Sequence, residues 1–188
     1  ERPVAIKALD PAGAAEGGAS RFLAEVCTMA RLQHPHLLPL LDSGTADGIP
    51  YLVMPFVDGG TLRQRLAAEG PLPVAEAVRL ARAVAGALAH AHAAGVVHRD
   101  LKPENVLLRD GEPLVADFGI ALAAADARLT RTGVAIGTPA YMAPEQAGAA
   151  EVVDARADVY ALGAILYELL VGDPPHVAGT ARGVLAKV

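Results

Sequence analysis

The chain has no tryptophan and a single cysteine, Cys27, among its 188 residues. One thiol excludes an intrachain disulfide and cannot build a cysteine-based zinc site, and a reducing, cytoplasmic setting fits it. Aromatic residues make up 4% while hydrophobic residues make up 53%. Much of that content is alanine, so the core relies on small side chains and close helix packing. Basic clusters are lacking too: the net charge is -5, and no Lys/Arg-rich stretch offers a nucleic acid a footprint. No unbroken apolar run reaches the ~18 residues of a membrane-spanning helix. There is no internal repeat and no low-complexity segment. A phosphate loop of the G-x-x-x-x-G-K-S/T kind is absent as well, which removes a common nucleotide-binding class. The opening Glu1-Arg2-Pro3 is no signal peptide. It lacks Met and enters a strand at once, and it reads as the start of a fragment.

What is present begins with an alternating run, Val4 to Leu9, which reads as a strand with Lys7 on the face of Ala5. Taken alone, Lys7 would be a surface lysine on an edge strand. After a loop from Asp10 to Gly18, Ser20 caps a helix expected to run to about Leu32, with Phe22, Val26, Met29 and Ala30 on one stripe and Glu25 beside it. His34-Pro35-His36 ends that helix, because proline disfavours helix at the residue before it. His90 and His92 repeat the two-residue spacing. Residues two apart do not share a helix face, and both pairs are read as structural rather than metal-binding. Leu37–Asp42 and Tyr51–Phe56 read as strands around a turn at Ser43–Gly48. Thr61 and Gln64 have capping-box spacing. From Val74 to Ala94, Ala77, Leu80, Ala81, Val84, Leu88 and Ala91 recur at helical spacing, and Gly95 closes the helix.

That helix delivers the chain to His98-Arg99-Asp100-Leu101-Lys102-Pro103-Glu104-Asn105, which places a carboxylate, a lysine and an amide within six residues. Val106-Leu107-Leu108 and Leu114-Val115-Ala116 follow as a hairpin around Asp110–Pro113, then Asp117-Phe118-Gly119. The long, weakly periodic stretch to Glu145 carries Thr130, Thr132 and Thr138; a loop of that length in a compact domain is usually functional or disordered. Asp158 to Val171 reads as an apolar core helix through Val159, Leu162, Ile165, Leu166, Leu169 and Leu170. Gly172-Asp173-Pro174-Pro175 stops it before a last weak helix.

V-A-I-K at Lys7, H-R-D-L-K-P-E-N, D-F-G and Ala143-Pro144-Glu145 occur once each and in order. With them the chain resembles the protein kinases, and among those the bacterial eukaryotic-like Ser/Thr kinases. The narrower likeness rests on Gln146 and on the stretch from Asp154 to Gly163. The resemblance implies an α+β, bilobal protein-kinase fold truncated at both ends: a partial N-lobe at residues 1-57 and a partial, mainly helical C-lobe at 58-188. It implies ATP with Mg²⁺ or Mn²⁺ as cofactors and protein Ser/Thr hydroxyls as substrate. Lys7, held by Glu25, would contact the α- and β-phosphates. Asp117 and Asn105 would hold the metal. Asp100 would accept the substrate's proton, with Lys102 balancing charge at the transferred phosphoryl.

The adenine pocket would be Ala5 above and Leu107 below, with Met54 as gatekeeper and Pro55 and Val57 offering a carbonyl and an N–H. Pro55 replaces the usual glutamate; proline lacks only a donor, and that position contributes its acceptor. Lys102-Pro103-Glu104 is the Ser/Thr form of the loop, and Thr138 matches the threonine that supports Asp100 and Lys102. Met29, Leu40, His98, Phe118 and Asp158 match the family's core stack. Arg99 would pair with a phosphate on Thr130 or Thr132, added by autophosphorylation and through a kinase-domain dimer. No nucleic-acid partner and no membrane contact within the chain are expected, although many relatives are membrane-anchored with the kinase domain in the cytoplasm.

The family's Gly-rich loop precedes V-A-I-K, further helices follow the core helix, and Glu145 pairs with an arginine in them. The fragment is therefore expected to be less stable and less active than an intact domain. The competing reading is a pseudokinase or docking module. Lys7, Asp100 and Asp117, the usual sites of catalytic loss, are all present.

Overall fold

The computed structural model describes residues 2–8, 26, 30, 32–118, 139–148, 153–178 and 180–188. Strand β1 (Val4–Ala8) pairs antiparallel with β3 (Ile49–Pro55), and β3 pairs with β2 (Asp42–Ala46), giving the order β1-β3-β2. Ala5 and Lys7 are half-buried while Val4 and Ile6 are exposed, as alternation on one strand requires.

The second strand does not lie where the apolar residues suggested. Of Leu37–Asp42, Leu37 makes only an isolated bridge to Val115 and is buried in the core. The strand instead occupies Asp42–Ala46, all but its first residue inside the expected turn. Its sequence, Asp-Ser-Gly-Thr-Ala, has no apolar alternation. It is a strand because a two-residue turn folds it onto β3. Asp47 and Gly48 both take positive φ, 52° and 77°, the geometry that Asp-Gly supplies to tight hairpins. Asp110 and Gly111 do the same, at 53° and 80°, between β4 (Val106–Arg109) and β5 (Glu112–Val115). Pro113, expected in that turn, is therefore a residue of β5 opposite Leu108.

Helix α1 (Leu62–Glu69) starts on the expected capping box: Thr61 Oγ1 accepts from Gln64 N, and Gln64 Oε1 accepts from Thr61 N. Helix α2 (Val74–Ala93) buries all six residues of the stripe read from its periodicity, and Ala87 with them. It packs against β5 and against α4 (Arg156–Val171). Short α3 (Pro144–Ala147) and α5 (Ala181–Leu185) complete the set of described helices. The segment between β3 and α1 is strapped to β4, where Leu108 N donates to Gly60 O at 2.9 Å. A Cβ at Gly59 would lie 2.2 Å from the Leu108 carbonyl oxygen. Gly59→Ala must push this strap apart and is expected to lower unfolding free energy by about 1–3 kcal/mol; an unshifted urea midpoint would contradict the close approach.

The apolar reading of α4 needs correction. Val159 is 63% exposed and Leu170 38%, whereas Asp158 and Glu168 are each 1% exposed. The helix turns its alanines, Ala157, Ala161 and Ala164, with Ile165 and Leu169 toward α2 and the core. Small residues let the two helices approach, and the two acids find partners there. Of the helix expected from Ser20 to about Leu32, the described residues are Val26, Ala30 and Leu32. Val26 is helical and buried, and its carbonyl accepts from Ala30 N at 2.9 Å. Phe22, Glu25 and Met29 lie outside the described residues.

Candidate active site

The octapeptide His98–Asn105 follows α2 through Gly95 (φ 77°) and closes with a single 3₁₀ turn, Pro103–Asn105. Within it Asp100 Oδ2 receives Lys102 Nζ at 2.7 Å and Asn105 Nδ2 at 3.2 Å. Asn105 Nδ2 also donates to the Asp100 carbonyl at 2.8 Å. Two donors on one oxygen fix the carboxylate's orientation, and among the described residues Oδ1 makes no hydrogen bond. Because the Asn105 amide nitrogen is committed to Asp100, its Oδ1 remains as an acceptor.

Asp117 comes to the same region from the end of β5. Ala116 N donates to Asn105 O at 2.9 Å, tying the two segments together. Asp117 takes φ 60°, a left-handed conformation that costs a non-glycine residue energy and recurs at functional sites. Its Oδ1 pairs with Lys7 Nζ at 2.6 Å, so the strand lysine and the aspartate meet directly. Glu25, the expected partner of Lys7, lies outside the described residues. Asp117 and Asn105 would present a carboxylate and an amide oxygen, the hard donors a divalent cation such as Mg²⁺ takes. Those residues fit the metal. Of the residues expected to form the adenine pocket, Ala5 and Met54 lie opposite each other across β1 and β3, and Pro55 lies opposite Val4. Val57 and Leu107 are half-buried.

The loop is held from beneath by a buried acid 60 residues away. Asp158 accepts from His98 N and Arg99 N, both at 2.8 Å, and contacts His92 Nε2 at 2.7 Å. Those bonds hold Arg99 at φ 65°. The Arg99 carbonyl accepts from Gln146 Nε2 at 2.7 Å, so a residue read only as a marker of bacterial relatives proves to bond the loop. His98 is wholly buried, its ring 4.6 Å from that of Phe118 and its Nε2 bonded to Ala116 O at 2.9 Å. Burial pushes the His98 pKa below the usual 6.5, outweighing the opposing pull of Asp158. The unfolded chain takes up that proton more readily. This contribution to stability is therefore full above about pH 6.5 and is lost as pH falls toward the folded value. The urea midpoint is expected to fall between about pH 7 and pH 5; a flat profile there would count against a neutral, buried His98.

A second network escaped the sequence reading. Arg63, on α1, donates to Glu104 Oε1 at 2.8 Å and to Glu168 Oε1 at 2.6 Å, and also bonds the Tyr141 hydroxyl. Tyr141 in turn donates to Glu168 Oε2. Burial, then the neighbouring Glu168, raises the Tyr141 pKa, and the acids hold Arg63 firmly protonated. Glu168 in the middle of an apolar run was the available signal. Thr130, Thr132 and Thr138 lie outside the described residues.

Comparison with known proteins agrees with this geometry. The family described as protein kinase domain matches residues 1–186. The serine/threonine-protein kinase PknL of Mycobacterium tuberculosis is 44% identical over 186 residues, 98% of this chain and 46% of the relative. The DNA damage-responsive serine/threonine-protein kinase RqkA of Deinococcus radiodurans is 49% identical over 175 residues, 90% of this chain and 26% of that protein. The chain thus spans less than half the length of these curated relatives. The crystal structure of the Mycobacterium tuberculosis PknI kinase domain superposes with a TM-score of 0.74 at 40% identity, over 92% of this chain and 65% of that one. Family membership carries with it a general use of ATP and a divalent metal. With the ordered motifs, the Lys7–Asp117 pair and a match over nearly its whole length, the chain belongs to the protein kinase domain family.

Proposed function

We propose that the protein is a Ser/Thr kinase that moves the γ-phosphate of ATP to serine or threonine hydroxyls of proteins. The observation that supports this best is the Asp100 carboxylate, oriented by Lys102 and Asn105 through one oxygen, the other making no hydrogen bond among the described residues. In this reading the substrate hydroxyl sits against Asp100 Oδ1. Its oxygen forms the new bond to phosphorus, the bond to the β-phosphate oxygen breaks, ADP leaves, and the hydroxyl proton passes to Asp100. Lys102, whose ammonium is within reach of the same carboxylate, offsets charge on the transferred group. Lys7 holds the nucleotide's phosphates once it releases Asp117. Asp117 and Asn105 would hold Mg²⁺ or Mn²⁺, which neutralises phosphate charge and orients the leaving group. Ala5, Met54, Pro55, Val57 and Leu107 form the adenine pocket.

The three-stranded sheet precedes residue 57 and all helices from α1 onward follow it, which supports a division into N-lobe and C-lobe at that point. Among the described residues no helix is long and apolar enough to cross a membrane, and a cytoplasmic setting is part of the proposal. Arg99 would receive a phosphate on Thr130 or Thr132, placed there by a second copy. Incubation with labelled ATP and Mg²⁺ is expected to yield phosphoserine or phosphothreonine, with Thr130 or Thr132 among the modified positions. Product containing only phosphotyrosine, or label incorporated equally without metal, would overturn the assignment. Label confined to other residues would remove the regulatory part alone. The pseudokinase reading has no specific observation in its favour.

A further inference from the structure

His34, His36 and His90 converge in space, away from the site just described, while His92 turns to Asp158. His34 lies with its ring centroid 5.7 Å from that of His36 and 5.5 Å from that of His90. His34 and His36 border a cavity of about 400 Å³ on the outer face of α2, the face opposite its buried stripe. Arg79, Arg82 and Gly86 line it from the helix, and no carboxylate is among its lining residues. In a chain with net charge -5, a concavity carrying two arginines and two imidazoles, with a third beside them, stands out.

The hydrogen bonds say what the imidazoles present. His34 Nδ1 accepts from His36 N at 3.2 Å, so the proton of a neutral His34 is on Nε2. That nitrogen is directed at α2, because a Cβ built on Gly86 would lie 3.7 Å from it. His34 and Gly86 both line the cavity, so the Nε2–H borders it. His36 Nδ1 is bonded to Pro113 O at 3.0 Å, which anchors the segment to β5 and directs the other edge of the ring outward. Arg79 leans to the rim, donating to Glu112 and to Gly111 O. Arg82 is exposed, and among the described residues it makes no ion pair. A metal is a poor fit, since no three ligating side chains among the described residues are grouped to hold one.

We infer that this cavity is a phosphate-binding site, taking a phosphate monoester on a protein side chain or free inorganic phosphate between His34 Nε2 and the Arg82 guanidinium. A tetrahedral dianion offers several acceptor oxygens to convergent donors. Burial and the mutual repulsion of His34, His36 and His90 push the His34 pKa down, a cost that a bound anion relieves. The site touches none of the residues assigned to phosphoryl transfer, so it stands independently of that assignment.

The test is an NMR titration of the 188-residue chain, following the imidazole C–H resonances of His34, His36 and His90. Four probes are added in turn: inorganic phosphate, a phosphothreonine peptide, its unphosphorylated twin, and acetate. Saturable shifts at these rings with a phosphate-bearing probe are expected, with none from the twin or from acetate. Arg82→Glu should weaken the response about tenfold or more, equivalent to ~1.4 kcal/mol. Arg82 is exposed, so this variant leaves the fold in place, as an unchanged urea midpoint will verify. Stronger binding of the phosphopeptide assigns the site to phosphorylated proteins; equal or stronger binding of inorganic phosphate assigns it to the free ion. Absence of saturable shifts with both, or an unaltered response in Arg82→Glu, overturns the inference.

Discussion

Asp100→Asn is expected to reduce phosphate transfer from ATP to protein by about 10²–10⁴-fold, which is roughly 3–5 kcal/mol of barrier, with nucleotide affinity and unfolding midpoint little changed. The amide keeps the shape and can still accept from Lys102 and Asn105, the two donors on Oδ2 at 2.7 and 3.2 Å. What it cannot do is take the hydroxyl proton. The side chain is 40% exposed, so replacing its charge leaves no buried group stranded, and the loop is held by Asp158 from below in any case. The measurement is initial rate at saturating ATP and metal, beside nucleotide affinity and a urea titration. Transfer at the parental rate would rule out Asp100 as the proton acceptor. A matching loss of stability would make the residue structural.

Arg63→Ala is expected to lower unfolding free energy by about 3–5 kcal/mol. Its guanidinium is the cationic partner of Glu168, which is 1% exposed and surrounded by α1, α4 and the Tyr141 turn. Removing the cation strands a charge that water cannot reach. Glu168 then has only the Tyr141 hydroxyl, or must take up a proton. Adding Glu168→Leu to Arg63→Ala should recover a good part of the loss, because an apolar replacement of a buried ion pair is tolerated far better than half of one. Activity is expected to fall too, since the same guanidinium holds Glu104 in the loop turn next to Asn105. Urea unfolding of the single and double variants measures the coupling. If the double variant is no more stable than Arg63→Ala, the ion pair is not the source of the effect.

The site was legible in the sequence to an uneven degree. Asp100, Lys102 and Asn105 meet within one six-residue turn, so their contacts are set by local chain geometry, and the ordered motifs announce them. The stripe on α2 was equally readable, because helical periodicity and burial on one face are the same fact. β2 was not: its residues carry no apolar alternation, and a two-residue turn onto β3 decides its pairing. On α4 the apolar count pointed to Val159 and Leu170, whereas packing against α2 selected the alanine face and took Asp158 and Glu168 inside.

The sequence by itself determined the family, the order of its motifs and the turn that brings Asp100, Lys102 and Asn105 together, since each motif depends on residues a few positions apart. The tertiary structure alone decided which distant groups support them. Asp158 reaches back to His98 and Arg99, Arg63 across to Glu168, and His34 over α2 to His90. Separations of about 56 to 105 residues leave no periodic trace. A buried charge or ring acquires its partner only when the helices close on one another and water is excluded from between them.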